Sequence, residues 1–177
     1  MIEGISQRLL DQTRPLRIHL LGVAGSGMSG LAALLLEMGH KVSGSDRVTS
    51  GEIERLQGLG LMFSSPHSKE AVSGVDAVVY SSAIKSDNVA LAEARRTEVL
   101  CLRRAECLAA ILHTRKGVLV AGTHGKTTTS AMCAHVLNNA GSRVSHYVGA
   151  EIPVLGANAH WDEDSEYLVA EGDESDG

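Results

Sequence analysis

The chain has 177 residues, 44% of them hydrophobic, which is enough for one large domain or for one and a half small ones. Aromatic residues make up only 3%, so the core must consist of aliphatic side chains, as is typical of α/β sheets covered by helices. No apolar run reaches the length of a membrane span, and the N-terminus lacks the basic-then-apolar order of a signal peptide, so we expect no membrane insertion.

The formal net charge of -5 is unevenly distributed along the chain. Residues 161–177 contain eight of the 21 acidic residues and no Lys or Arg, which leaves 13 acidic against 16 basic residues before them. This mildly basic part suits small anionic ligands, but it has no dense basic stripe, so we expect no nucleic-acid partner. Cys101, Cys107 and Cys133 are odd in number and lack metal-like spacing, which predicts reduced thiols in a cytosol.

The first part of the chain alternates between strand and helix patterns, which predicts a Rossmann-like α/β domain with a parallel sheet. The predicted strands are at residues 17–22, 41–45, 61–63, 77–80 and 99–102. The predicted helices are at residues 2–10, 31–38, 52–59, 89–95 and 104–112. We place a domain boundary in the polar stretch 113–117, so the first domain covers residues 1–113 and the second covers residues 114–177.

A glycine-rich turn, G-V-A-G-S-G, connects the first predicted strand to the following helix. It nearly meets the dinucleotide fingerprint G-x-G-x-x-G, with Ala24 at the second glycine, and Asp46 ends the next strand. The turn therefore predicts phosphate binding, although a glycine turn that only packs helix against strand would look the same. Asp46 equally fits a carboxylate that binds a ribose hydroxyl of NAD.

Two further loops are candidates for ligand contact in the first domain. Residues 81–84 follow a predicted strand at its carboxyl end, where open α/β sheets bind their ligands. His67 follows Pro66 in a loop, where it either touches a ligand or is an ordinary surface histidine.

A second phosphate-binding turn opens the second domain. We predict a buried strand at 118–121, the loop Gly122-Thr123-His124-Gly125-Lys126-Thr127-Thr128, and a helix at 127–139. The strict pattern G-x-x-x-x-G-K-[ST] is not met, because its first glycine would fall at Val120, so the loop is a shortened one. Backbone N–H groups at the helix start would face an anion, and Lys126 would add a positive charge. The hydroxyl of Thr127 is placed to bind Mg²⁺.

The remaining chain predicts strands at 143–148 and 167–170, separated by an irregular segment at 149–160. Glu171 ends the last strand beside the phosphate-loop strand, where such enzymes hold Mg²⁺ or orient water. The alternative for this acidic end is a solvated tail, and Asp173, Glu174 and Asp176 are either ligands or exposed carboxylates.

These motifs together resemble the Mur ligases of peptidoglycan synthesis. The similarity rests on GVAGSGMSGLA at 22–32, GSD at 44–46, AGTHGKTTT at 121–129 and EGDESDG at 171–177, supported by VVYSSAI and LRRAECLA. The family more often has G-I-G-G in the first turn and E-A-D-E in the last motif. Its enzymes are far longer, so the chain resembles an N-terminal domain followed by the start of a P-loop ATPase α/β domain.

The resemblance implies a concrete reaction in a bacterial cytoplasm. ATP would phosphorylate the carboxylate of UDP-N-acetylmuramate, and the amino group of L-alanine would attack the acyl phosphate, leaving an amide, ADP and phosphate. The 177 residues by themselves are expected to bind the UDP substrate without forming the amide, because both reactants must be held in register.

The resemblance also implies roles for individual residues. Catalytic roles fall to Lys126 and His124, although a turn histidine is as often merely solvated. The ATP phosphates would be bound by Gly122, Thr123, Gly125, Lys126, Thr127 and Thr128, and Mg²⁺ by Thr127 and Glu171. The UDP substrate would be bound by Gly22, Ala24, Gly25, Ser26, Gly27, Met28, Asp46, His67, Ser81, Ser82, Ala83 and Ile84.

Three other functions stay open from the sequence. The chain could be a non-catalytic UDP-sugar or nucleotide-binding module, or a family member that adds a peptide in place of L-alanine. A nicotinamide-dependent oxidoreductase domain would use the first βαβ unit, but it would leave AGTHGKTTT without a role.

Overall fold

The structure is a computed structural model that describes residues 2–11 and 13–172. Asp173, Glu174 and Asp176 lie outside these residues. In the described part of the chain, every helix is too short or too polar to cross a bilayer.

The first sheet is parallel and has five strands, in the spatial order β3-β2-β1-β4-β5. Its strands are β1 (Arg17–Leu21), β2 (Lys41–Ser45), β3 (Met62–Ser64), β4 (Ala77–Tyr80) and β5 (Leu100–Arg103). Its helices are α1 (Ile2–Leu10), α2 (Ser26–Glu37), α3 (Gly51–Gly58), α4 (Val89–Arg96) and α5 (Arg104–Leu112). A short 3₁₀ turn at Glu70–Val72 precedes β4. The Rossmann-like α/β class predicted from the alternating pattern is confirmed.

Helix α2 begins five residues earlier than the apolar pattern predicts. Residues 26–30 are small or polar apart from Met28, so they carry little helical periodicity in the sequence. In the structure, residues 28–35 are buried without interruption, because α2 is enclosed by other elements on all sides. The helix is therefore part of the protein core from Met28 onward, whereas Ser26 at its start is exposed.

The second sheet has four strands in the order β6-β9-β7-β8. They are β6 (Lys116–Val120), β7 (Val144–Tyr147), β8 (Ala159–His160) and β9 (Tyr167–Glu171), and helix α6 (Lys126–Asn139) packs on β9, β7 and β6. The antiparallel strand β8 lies in the segment predicted to be irregular. The prediction that the phosphate-loop strand is buried is wrong, because β6 lies at the sheet edge and Leu119 is 56% exposed.

Helix α2 also packs against the second sheet, through contacts with strands β7 and β8. A Cβ atom added to Gly30 would lie 3.1 Å from Cε2 of Tyr147 and 3.5 Å from Cβ of Ala159. The Tyr147 hydroxyl donates a hydrogen bond to the carbonyl oxygen of Gly27 at 2.8 Å, and Trp161 N donates to the Glu37 carboxylate at 2.5 Å. Both sheets thus share one apolar core.

A buried histidine links the first two strands of the first sheet. His19 on β1 lies opposite Ser43 on β2 and is only 1% exposed. Its Nδ1 is 2.8 Å from the Ser43 hydroxyl, and its Nε2 is 2.9 Å from the Ser45 hydroxyl. Burial lowers the pKa of His19 to about 4, with a smaller contribution from His67. The ring is therefore neutral near pH 7.

We expect Tyr147→Phe to lower the free energy of unfolding by about 1 kcal/mol, because it removes the part-buried hydrogen bond from β7 of the second sheet to helix α2. Tyr167→Phe is the matched control, since the Tyr167 hydroxyl makes no hydrogen bond within residues 2–11 and 13–172. Urea denaturation measures both variants. An equal loss in the two would contradict the assigned role of the Tyr147 hydroxyl.

The neutral His19 ring predicts that stability falls in mild acid. Because its folded-state pKa is about 4 against 6.5 for an ordinary histidine, the unfolded chain binds more protons between these values. The free energy of unfolding should therefore drop by about 2 kcal/mol from pH 7 to pH 5 on account of this residue. Urea denaturation at the two pH values should show a smaller drop for His19→Gln, and an unchanged drop would refute the prediction.

Candidate functional site

The main cavity of the first domain lies at the carboxyl edge of its parallel sheet and has a volume of about 710 Å³. This is the position at which open α/β sheets bind ligands. Eight residues from the sequence prediction line it: Gly22, Ala24, Gly25, Asp46, His67, Ser81, Ala83 and Ile84.

The glycine-rich turn is braced by backbone hydrogen bonds and by one carboxylate. Gly22 has a φ of +84°, and a Cβ atom there would lie 3.4 Å from that of Ser81. Oδ2 of Asp46 accepts a hydrogen bond from Ala24 N at 2.9 Å, and Oδ1 accepts one from Arg47 N at 2.7 Å. Asp46 therefore holds the turn in shape in addition to lining the cavity.

Four predicted ligand contacts lie outside this cavity lining. Ser26, Gly27 and Met28 form the first turn of α2, and Met28 is only 2% exposed because it points into the core. A Cβ atom on Gly27 would collide with the Arg104 guanidinium, so this glycine faces α5 and Tyr147. Ser82 lines a neighbouring groove of about 300 Å³.

The sequence prediction missed two cations at the cavity. Arg47 and Lys85 both line it, together with the carboxylates of Asp46 and Asp87. Both cations sit next to predicted site residues, but an exposed charge in a loop carries no periodic signal that would single it out. Their ammonium and guanidinium groups supply positive charge of the kind that a diphosphate requires.

His67 connects the cavity to the buried pair of strands. Its Nδ1 is 2.8 Å from the Ser45 hydroxyl, which also contacts Nε2 of His19. Burial lowers the pKa of His67, the negative charge of Asp46 raises it, and the positive charge of Arg47 lowers it. His67 therefore lines the cavity and contacts Ser45, and its contact with a ligand stays a prediction.

The second turn lies between β6 and α6. Gly122 and Gly125 have φ values of +144° and +76°, which a residue with a side chain rarely adopts. Gly125 caps α6, and the Nζ atom of Lys126 donates a hydrogen bond to the carbonyl oxygen of Gly122 at 2.7 Å. The first N–H groups of a helix lack intrahelical partners, so the turn combines free donors, a helix dipole and a lysine. This is an anion-binding arrangement.

The other predicted members of this turn sit on its surface. Thr123, His124 and Thr128 are exposed, whereas Thr127 is half-buried in the first turn of α6. An exposed histidine next to an anion site is free to approach a ligand, which keeps both alternatives for His124 open.

Glu171 ends β9 next to the start of this turn. Its register partner on β6 is Val120, and Gly172 N donates a hydrogen bond to Val120 O at 2.9 Å. A Cβ atom on Gly149 would collide with the Glu171 carboxylate, so the two chain segments are in close contact. Oε2 of Glu171 is buried and has no hydrogen-bond partner among the described residues.

An unsatisfied carboxylate oxygen at this edge fits a role as an Mg²⁺ ligand, because Mg²⁺ binds oxygen. The described residues contain no group of three or more His, Cys, Asp or Glu side chains that could hold a metal ion. A cation here would therefore take further ligands from a bound phosphate and from water, as is usual for Mg²⁺ in nucleotide sites.

Comparison with known proteins gives consistent results. The model of the Mur ligase family, catalytic domain, matches residues 17–116. The UDP-N-acetylmuramate–L-alanine ligase of Anaeromyxobacter dehalogenans is 46% identical over 168 residues, which cover 95% of this chain and 36% of that protein. The enzyme of the same name from Geobacter sulfurreducens is 44% identical over 161 residues, covering 91% and 35% of the two chains.

Two solved structures are also similar. The UDP-N-acetylmuramate-alanine ligase of Thermotoga maritima has a TM-score of 0.80 at 29% identity, covering 88% of this chain and 36% of that one. The UDP-N-acetylmuramate:L-alanyl-gamma-D-glutamyl-meso-diaminopimelate ligase of Neisseria meningitides has a TM-score of 0.83 at 28% identity, covering 91% and 53%. The chain spans about a third of the length of the curated relatives it matches.

The family model covers 100 of the 177 residues, from β1 to the start of β6, and the parallel sheet and the two glycine turns lie where the sequence motifs predict them. The chain therefore belongs to the Mur ligase family.

Proposed function

We propose that the protein with this sequence joins L-alanine to the carboxylate of UDP-N-acetylmuramate at the expense of ATP, in the bacterial cytoplasm. The observation that carries the proposal is the presence of two glycine turns, each leading into a helix, on two sheets that share helix α2 and one core. A ligase of this kind needs one site for a UDP substrate and another for ATP. The curated relatives at 44–46% identity carry the name of the L-alanine ligase, which supports this acceptor.

In this proposal, the 710 Å³ cavity binds the UDP substrate. Gly25 precedes α2, so its backbone and the helix dipole favour the diphosphate, while Arg47 and Lys85 add positive charge. Asp46 keeps the turn in shape through its hydrogen bond to Ala24 N. Ser81, Ala83 and Ile84 line the cavity at the end of β4 and would face the uridine end of the substrate.

The turn between β6 and α6 would bind the phosphates of ATP. Lys126 and the N–H groups of residues 125–128 neutralise the charge that develops on the γ-phosphoryl group during its transfer. Thr127 and Glu171 would hold Mg²⁺, which when bound neutralises negative charge on the phosphates. His124 lies on the exposed side of the turn, from which it can reach the acyl-phosphate side of the reaction.

The proposed reaction has two steps. The substrate carboxylate oxygen attacks the γ-phosphorus of ATP, the bond to the bridging oxygen breaks, and ADP leaves. The neutral amino group of L-alanine then attacks the acyl carbon, inorganic phosphate departs with the electron pair of the broken C–O bond, and the nitrogen loses a proton to form the amide.

The alternative functions have less support. An oxidoreductase that uses the first turn for NAD would leave the Lys126 turn without a role, and the Asp46 carboxylate is already engaged by Ala24 N. A peptide-adding member of the family fits the fold equally well, as the Neisseria structure illustrates. Assays with L-alanine and with the tripeptide as acceptors separate these two ligases.

In a full-length enzyme that contains this chain, we expect Lys126→Ala to reduce amide formation at least 100-fold, because losing a contact to the transferred phosphoryl group costs about 3 kcal/mol or more. Lys116→Ala is the control, since Lys116 lies on β6 and pairs with Glu166 away from the turn. The assay follows ADP release that depends on UDP-N-acetylmuramate and L-alanine. Near-normal turnover of Lys126→Ala would contradict the assignment.

We expect Gly25→Val to weaken binding of UDP-N-acetylmuramate tenfold or more while leaving ATP binding unchanged, because it adds bulk to the lining of the first cavity only. Gly58→Val is the control, since a Cβ atom at Gly58 meets nothing within 4 Å. Calorimetric titration of each ligand measures the effect. Equal losses for both ligands in a folded protein would argue against two separate sites.

A further inference from the structure

Four polar side chains form a continuous line from the sheet to the main cavity. Ser43 Oγ lies 2.8 Å from Nδ1 of His19, Nε2 of His19 lies 2.9 Å from Ser45 Oγ, and Ser45 Oγ lies 2.8 Å from Nδ1 of His67. We call this line the histidine–serine relay.

The strand geometry explains how the relay forms. Residues two apart on a strand share a face, so Ser43 and Ser45 both point toward the same side of β2. His19 lies opposite Ser43 on β1, and its ring reaches both hydroxyl groups. His67 comes from the loop after β3 and closes the line at the cavity wall.

The relay can hold its protons in only two orders. His19 and Ser45 are 1% and 0% exposed, and burial lowers the pKa of both His19 and His67, so both rings are neutral near pH 7. Each neutral ring has one N–H donor and one bare nitrogen. Since the Ser45 hydroxyl has one hydrogen and stands between two ring nitrogens, it donates to one ring and accepts from the other. The nitrogen that carries the proton on His19 therefore determines which nitrogen carries it on His67.

We propose that the relay keeps the proton of His67 on Nε2, so that His67 presents an N–H donor to a carbonyl or phosphoryl oxygen of the nucleotide in the cavity. Ser43 then donates to His19 Nδ1, His19 Nε2 donates to Ser45, and Ser45 donates to His67 Nδ1. His19 and Ser45 are positioning residues, since they act on the ligand only through His67. The identity of the ligand and the choice of this order over its reverse rest on the proposed function, whereas the order itself can be measured on the protein without ligand.

The chemistry of a uridine diphosphate favours this order over its reverse. Its uracil carbonyl groups and phosphate oxygens only accept hydrogen bonds, its ribose hydroxyl groups both donate and accept, and its uracil N–H alone can only donate. An unprotonated ring nitrogen at the cavity would direct its own lone pair at these acceptor oxygens, whereas a ring N–H group can donate a hydrogen bond to any of them. A buried line of polar side chains lowers stability unless each of them is hydrogen-bonded, so the four protons keep one consistent order along the relay.

The first test measures the ring protons of the 177-residue chain without ligand. Nitrogen-15 NMR of histidine-labelled protein distinguishes the protonated from the bare nitrogen of each ring. We expect His67 to carry its proton on Nε2 in the wild type and to populate both tautomers in Ser45→Ala. A wild-type proton on Nδ1 of His67 overturns the proposal, and this measurement requires no variant to fold.

The second test is a double-mutant cycle of UDP-N-acetylmuramate binding by calorimetry. Ser45→Ala should weaken binding about tenfold in the wild-type background, as expected for one misplaced hydrogen bond, and less than about twofold in a His67→Ala background. Ser145→Ala is the control, because Ser145 is equally buried on a strand and bonded to Ser165, far from the relay. An equal loss in both backgrounds overturns the relay as a positioning device.

The two proposals fail in different ways. If the folded wild type binds no UDP-N-acetylmuramate, the proposed function is wrong, and the tautomer measured without ligand still decides the relay. If it binds the UDP substrate but His67 is protonated on Nδ1, the relay is wrong and the substrate assignment stands.

Discussion

The packing of helix α2 between the two sheets is the contact on which the arrangement depends. Gly30 has no side chain, so the Tyr147 ring can lie against the helix. The Tyr147 hydroxyl donates a hydrogen bond to the carbonyl oxygen of Gly27. The same helix begins directly after the glycine-rich turn at the cavity. A shift of α2 would therefore disturb the first anion-binding turn and the attachment of the second sheet together.

The two glycine turns are held in shape by different means. The first is held in shape by a carboxylate, because Asp46 accepts hydrogen bonds from Ala24 N and Arg47 N. The second depends on two glycines with positive φ and on Lys126, which folds back onto Gly122 O. In the proposed function, Lys126 would turn from Gly122 O to the phosphates and stabilise the charge that develops on the transferred group.

Much of the fold could be predicted from the sequence, because alternating strands and helices with apolar faces give strong periodic signals. β4 and α5 begin and end where the pattern places them. The two-residue strand β8 was missed, since so short a strand has no periodicity. The apolar run of β6 predicts burial on both faces, but burial depends on which strands lie beside it, and the chain sequence alone does not specify that.

The site was predictable in its loops and less so in its side chains. A fingerprint fixes the backbone of the glycine turn, yet Met28 enters the core because α2 starts before the apolar pattern begins. Tertiary structure brings Arg47 and Lys85 to the cavity and His19 to Ser45, so no local sequence pattern predicts these positions.

The exposed edge of β6 has a separate consequence for handling the protein. An open parallel edge carries unpaired backbone donors and acceptors. In β6, the one charged side chain that opposes pairing with another strand is that of Lys116, at the start of the strand. Strand-to-strand pairing at this edge is therefore the route by which we expect the 177-residue chain to self-associate in concentrated solution.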